Sequence, residues 1–313
     1  MSYNLILILS MMVTYVEVVL GVMISLAFFT LLERSVLGLI QARKGPNKVG
    51  MVGIIQPMSD AIKLFSSENF NILQSNYYLY LMSPVMSLIV MLIIWISMPL
   101  KFNMMNMSLG VLFFLCISSI SVYFLMMMGW SSNSVYSLLG SLRSISQTIS
   151  YEVGMFMMIL MIIMITESYS FFDMYIYQKN IWFVFIFYPL FIMLTITMLA
   201  ELNRTPFDFS EGESELVSGF NVEYMSGSFA MIFMSEYGMI LFMSFVLGMV
   251  FFGADFFFFF FYIKVVILGY MFIWVRGTFS RFRYDKLMCL AWMWFLPLVM
   301  FMISIGLGIL IWL

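Results

Sequence analysis

Among the charged side chains inside long apolar stretches of this 313-residue chain are Glu17, Arg143, Glu152, Glu223, Glu236 and Lys264. Such groups are costly in a lipid-solvated segment and ordinarily face a protein interior or a wet cavity. Carboxyls in that setting can gain and lose protons at working pH. Histidine is absent, so a proton relay here is limited to carboxylates, Lys264 and water. Helical geometry restricts it further. Arg143 and Glu152 are nine residues apart, and Glu223 and Glu236 thirteen, offsets that put neither pair on one helix face. A relay must therefore run between helices. Structural ion pairing is the competing reading for each acid, and for Glu17 that bland reading is preferred, its side chain able to snorkel outward. A second constellation is the run Glu201, Arg204, Asp208, Glu211, Glu213 and Glu215. It reads equally well as a solvated loop or as a polar cavity at the membrane edge, fed by Arg34, Arg43, Arg281 and Arg283 on neighbouring loops.

The elements that must position these groups follow from composition. Hydrophobic residues make up 64% of the chain and charged residues 10%, with a mean hydropathy of +1.05. Soluble domains hold about 25% charged residues, so this chain is solvated by lipid. Apolar stretches of ~20 residues predict eight spans, at roughly 5–32, 77–100, 108–129, 138–166, 181–201, 221–252, 256–279 and 287–311. The predicted fold is an all-α multi-pass membrane protein, a single integral membrane domain over 1–313. Within the first connection, Ile54, Ile55, Met58, Ile62 and Phe65 recur at helical spacing opposite Ser59, Asp60, Lys63 and Ser66. That pattern predicts an amphipathic helix lying in the interface, with Pro57 starting a turn or kink. Of the 14 basic residues, Lys101 and Lys179 fall on one side, Lys264 lies in a span, and the other eleven share the opposite loops and helix ends. By the excess of basic residues on the side of synthesis, both termini face away from it.

Composition also excludes functions. The balance of 14 basic and 16 acidic residues gives no nucleic-acid footprint. Without histidine there is no bis-His haem and no nucleophile–His pair, and Cys116 and Cys289, far apart in apolar runs, cannot hold a cluster or zinc alone. No metal site is expected. Gly45 to Gly50 has the glycine spacing of a phosphate loop, but Met51 stands where lysine is required. Met and Phe number 35 each, a bias of the kind produced by AT-rich organelle genomes. The N-terminus shows neither a cleavable signal nor a transit peptide, which suits a protein inserted where it is made.

Five segments resemble one family: 32–50 (from Leu32-Glu33-Arg34 to Gly45-Pro46-Asn47-Lys48-Val49-Gly50), Gln56–Phe65, Ser144–Val153, Ala200–Tyr224 and Arg281–Asp285. The family is subunit 1 of mitochondrial NADH:ubiquinone oxidoreductase, respiratory complex I. The resemblance runs over nearly the whole chain, is most specific over Ala200–Tyr224, and has an invertebrate cast. It implies a subunit without a redox centre that forms the membrane side of a ubiquinone tunnel. FMN and iron–sulfur clusters would sit in partner subunits, and the isolated chain would be inactive. It places Arg34, Asp60, Arg204, Phe207, Phe220 and Arg283 at the quinone path, and Glu211, Glu213 and Glu215 in an acidic coupling loop. Glu33 pairs with a cation. Glu152, Glu201 and Glu236 carry protons or charge towards the membrane arm. The implied location is the mitochondrial inner membrane, with termini towards the intermembrane space, charged loops towards the matrix, and other complex I subunits and lipids as partners. Ser280 stands where the family often has proline, and Glu17 matches no family acid.

Two other classes fit parts of the sequence. A stand-alone proton or cation transporter would also carry midplane acids, but no inverted repeat is visible and the charge gathers on one side like a docking face. A purely structural membrane scaffold has little need of acids at mid-depth.

Overall fold

The computed structural model describes residues 2–70, 72–99, 107–210, 212, 219–253, 255–256 and 258–312. The elements are α1 (Ser2–Ile40), α2 (Gln56–Ser66), α3 (Tyr77–Ile94), α4 (Gly110–Ser131), α5 (Val135–Thr166), α6 (Phe171–Tyr177), α7 (Phe183–Ile186), α8 (Tyr188–Glu201), α9 (Ser226–Phe251), α10 (Phe259–Thr278), α11 (Tyr284–Cys289) and α12 (Leu296–Trp312). A π-helical turn, Leu290–Phe295, joins the last two. An all-helical answer follows from the solvent. Hydrocarbon offers no hydrogen bonds, so each backbone group must be satisfied within its own segment. Serines inside the spans bond back to the carbonyl three residues earlier, as Ser118 does to Leu115 at 3.0 Å and Ser235 to Ile232 at 2.6 Å.

Among the described residues seven helical segments are long and apolar enough to cross a membrane, and Tyr188–Glu201 is a shorter apolar helix. That short helix is where the run predicted at 181–201 departs from expectation. Pro189 has no N–H for the Phe185 carbonyl, and the helix breaks at Phe187 (φ −117°, ψ 46°). The 14 residues of α8 span ~21 Å, against ~30 Å for a full crossing. Glu223, counted within the sixth span, instead precedes α9 in the turn at 219–225. The amphipathic prediction at 54–65 corresponds to α2, with Pro57 in its first turn. Its apolar residues Ile55, Met58, Ile62 and Phe65 are exposed, while the helix rests on α1 and α9.

Burial ranks the spans. In the apolar windows of α5 and α9, 56% and 61% of residues are buried, against 17% in α1. The two enclosed helices carry Glu152 and Glu236. α9 packs on α3, α10 and α1, and α5 on α4, α8 and α12. Gly238 lets α3 come close to α9, since a Cβ there would overlap the Met91 thioether.

Candidate functional site: a polar seam through the helices

The seam begins where α8 ends. Asn203 adopts a left-handed conformation (φ 49°), which asparagine tolerates better than most residues. The Arg204 N–H bonds the Leu199 carbonyl (3.3 Å) and the Asn203 N–H the Ala200 carbonyl (3.2 Å). These two bonds form a Schellman cap, and they turn the chain sharply before the cis Thr205–Pro206 bond. Arg204 is thereby buried (8% exposed). Its Nη2 lies 3.5 Å from Glu236 Oε2 on α9, and its guanidinium sits 4.6 Å from the centre of the Tyr237 ring. Gln147 on α5 fixes the same turn, donating from Nε2 to the Ala200 and Phe207 carbonyls at 2.8 Å each.

Two acids face one another across a space beside that turn. Glu201 and Glu236 line a cavity of about 70 Å³, together with Ser87, Ser121, Asn203 and Ser235. At ~10–15 Å³ per water, several waters fit. Glu201 Oε2 and Asn203 Oδ1 are buried without a protein partner among the described residues. Water in a cavity of this size would satisfy them. Glu152, half-buried on α5, lies within electrostatic reach of Glu201. Two acids thus share the cavity, with a third on α5 in electrostatic reach of one of them.

On its other flank the seam continues to α1. Tyr237 lies within electrostatic reach of the Glu33 carboxylate, and buried Glu33 forms an ion pair with Arg276 in the last turn of α10. A second, smaller cavity is lined by Glu33, Arg204 and Arg276 with Phe29, Ile240 and Phe272. The cation expected opposite Glu33 is therefore Arg276. Arg34, the next residue, points the other way and pairs with Asp60 on α2, which also accepts from Gln56 Nε2 at 2.9 Å.

Other predicted site residues are placed as follows. Phe207 is buried and stacks on Phe282 (ring centres 5.5 Å apart). Phe220 is buried in a separate cluster with Tyr80, Met128, Tyr224 and Ile232. In that cluster Tyr80 stacks on Tyr224 at 4.5 Å, so the two phenylalanines are not brought together. Arg283 is exposed and pairs with Asp285 at 2.9 Å, and Arg281 lies 3.6 Å from Asp208. Glu211, Glu213 and Glu215 lie outside the described residues. No group of three or more metal-ligating side chains occurs among the described residues. Lys264, considered above for a relay, has other partners. Its ammonium donates to the Phe252 carbonyl at 2.8 Å and sits 4.2 Å from the Trp182 ring centre. Sequence reasoning missed Tyr237, Gln147 and the cavity serines. Gln147 stands inside a motif segment, but nothing in a linear pattern marks a tyrosine as the bridge between an arginine and a glutamate on two other segments.

Fold and seam together define a multi-pass helical membrane protein with an internal line of carboxylates and cations, a class suited to moving charge between a membrane edge and its interior. Residues 13–307 match the family model described as NADH dehydrogenase. The chain is 55% identical over 280 residues to NADH-ubiquinone oxidoreductase chain 1 of Aedes aegypti, covering 90% of each chain. It is 55% identical over 280 residues to that of Anopheles gambiae (90% and 89% covered), and 50% identical over 284 residues to that of Locusta migratoria (91% and 90% covered). The chain belongs to the NADH dehydrogenase family, the complex I subunit 1 type, and its similarity to insect members agrees with the invertebrate cast of its sequence.

Proposed function

We propose that this chain, a core membrane subunit of H⁺-translocating NADH:ubiquinone oxidoreductase in the mitochondrial inner membrane, forms the membrane wall of the ubiquinone tunnel and couples quinone reduction to proton movement. The observation that carries this reading is that Glu201 and Glu236, from two helices, line one wettable cavity, with Glu152 on a third helix within electrostatic reach of Glu201. That cavity is linked through Arg204, Tyr237, Glu33 and Arg276 to the helix end beside α2. A relay between helices needs this arrangement, since no pair of acids on one helix shares a face.

The quinone end is supported by the chemistry around α2. Its exposed apolar row suits an isoprenoid tail, and the Arg34–Asp60 pair beside it suits a polar headgroup in passage. Arg204, Phe207, Phe220 and Arg283 complete the proposed path, and Glu211, Glu213 and Glu215 form its acidic coupling loop. FMN and iron–sulfur clusters belong to partner subunits, which deliver the electrons, and this chain holds and moves protons. The basic loops face the matrix and both termini the intermembrane space. A ubiquinone analogue with a photoreactive tail, used on the intact complex, tests the tunnel. Adducts are expected in α2, in the α1 end near Arg34, or in 204–225. Labelling confined to the loops on the terminal side would overturn it.

A further inference from the structure

α1 carries a charged group that the seam does not use. Glu17 is exposed on the surface of the chain. Within the apolar run 5–32 it stands twelve residues from one end and fifteen from the other, ~18 and ~22 Å along the helix axis. The run is ~42 Å long against a core of ~30 Å, so Glu17 lies ~6 Å or more inside the hydrocarbon whichever end projects. Among the described residues no hydrogen bond or ion pair reaches it. The nearest cation on the seam, Arg276, is held by Glu33, sixteen residues and ~24 Å further along α1. The face around Glu17 is shaped for close approach. Gly21 and Ser25, one and two turns on, are exposed, and a Cβ at Gly21 would meet nothing within 4 Å. Small residues four apart let a second helix backbone come near. Val13, Leu20 and Ile24 flank them, each more than half exposed.

We propose that this face of α1 seats a transmembrane helix of another polypeptide, which presents a lysine or arginine at the depth of Glu17. Lipid would solvate Val13, Leu20 and Ile24, but it offers no countercharge for a carboxylate inside the hydrocarbon. A partner hydroxyl would leave an ionised Glu17 uncompensated, whereas a lysine or arginine matches its charge, so the proposal takes a cation as the partner group. The inference rests on the chain's place in a multisubunit membrane assembly. It is read by subunit content and carboxyl reactivity, whereas the tunnel is read by quinone labelling, so either can fail alone.

The experiment uses the intact complex in its own membrane. Dicyclohexylcarbodiimide, which modifies carboxyls open to lipid, should leave Glu17 without an adduct. In a parallel arm, complexes carrying Glu17→Lys or Gly21→Leu are purified and their subunits quantified by mass spectrometry. One membrane subunit should fall at least about tenfold in both variants, and less in Glu17→Gln, which keeps a polar contact. Because Gly21 faces open space in this chain, its leucine variant leaves the chain's own packing intact and reports on the partner alone. An adduct at Glu17 in the intact complex, or full subunit content in both variants, overturns the proposal.

Discussion

Two regions of the molecule bury charge among apolar side chains, and they do so in opposite ways. At Lys264, in the second turn of α10, the ammonium and the neighbouring Gln178 amide are both engaged. The ammonium has a carbonyl and an aromatic face. Gln178 alongside donates to the Met249 and Val250 carbonyls at 3.0 and 2.9 Å and accepts from the Gly253 N–H at 2.8 Å. Twelve residues along, ~18 Å by helical rise, the seam around Arg276, Arg204 and Glu236 includes a cavity, and the neighbouring Glu201 oxygen has no protein partner among the described residues. A saturated polar cluster rigidifies, because any change of protonation or position breaks bonds already made. A partly satisfied one beside water-sized space can change state at small cost. Under the proposed function, this difference makes the Lys264 cluster a lock and the seam the place where charge would move.

The largest effect that tests this contrast is on turnover. Glu201→Gln and Glu236→Gln should each slow NADH:ubiquinone turnover about a hundredfold, the lower end for a lost proton-transfer group. Assembly, and NADH oxidation by an acceptor that bypasses the quinone, should stay normal. Full turnover and full proton yield in both variants would sink the relay. A smaller effect belongs to the seam's cation. Arg204→Leu removes a buried ion-pair partner, worth up to about 3 kcal/mol at this partial exposure, and should lower the thermal inactivation midpoint as well as turnover. The smallest effect is at the lock. Lys264→Met should cost about 1–2 kcal/mol of stability from the lost hydrogen bond and cation–π contact, with turnover within about twofold of the parent. A turnover loss at Lys264 as large as that at Glu201 would erase the distinction between the regions.

Much of this was legible in order along the chain. Apolar run lengths located the spans because the bilayer sets one thickness for all of them. The period of Ile55, Met58, Ile62 and Phe65 located α2 because an interfacial helix must sort its faces. The exception at 181–201 shows the limit of run length. Hydropathy averages over a window, whereas one missing N–H at Pro189 breaks the helix at Phe187. The candidate acids were legible too, since charges in so apolar a chain are few.

Their arrangement was not. Composition and spacing determined that Glu152, Glu201 and Glu236 lie in or at spans, and that no pair on one helix could relay. Only the tertiary structure decided that Glu201 and Glu236 share a cavity with Glu152 in reach, that Arg204 turns inward to Glu236 and Tyr237, and that Lys264 is tied to Phe252 and Trp182. The physical reason is the range of each interaction. Solvation by lipid acts on every residue according to its own type, so it is written into the linear sequence. Hydrogen bonds and ion pairs act over a few ångströms between residues dozens of positions apart, so they exist only once the helices have packed.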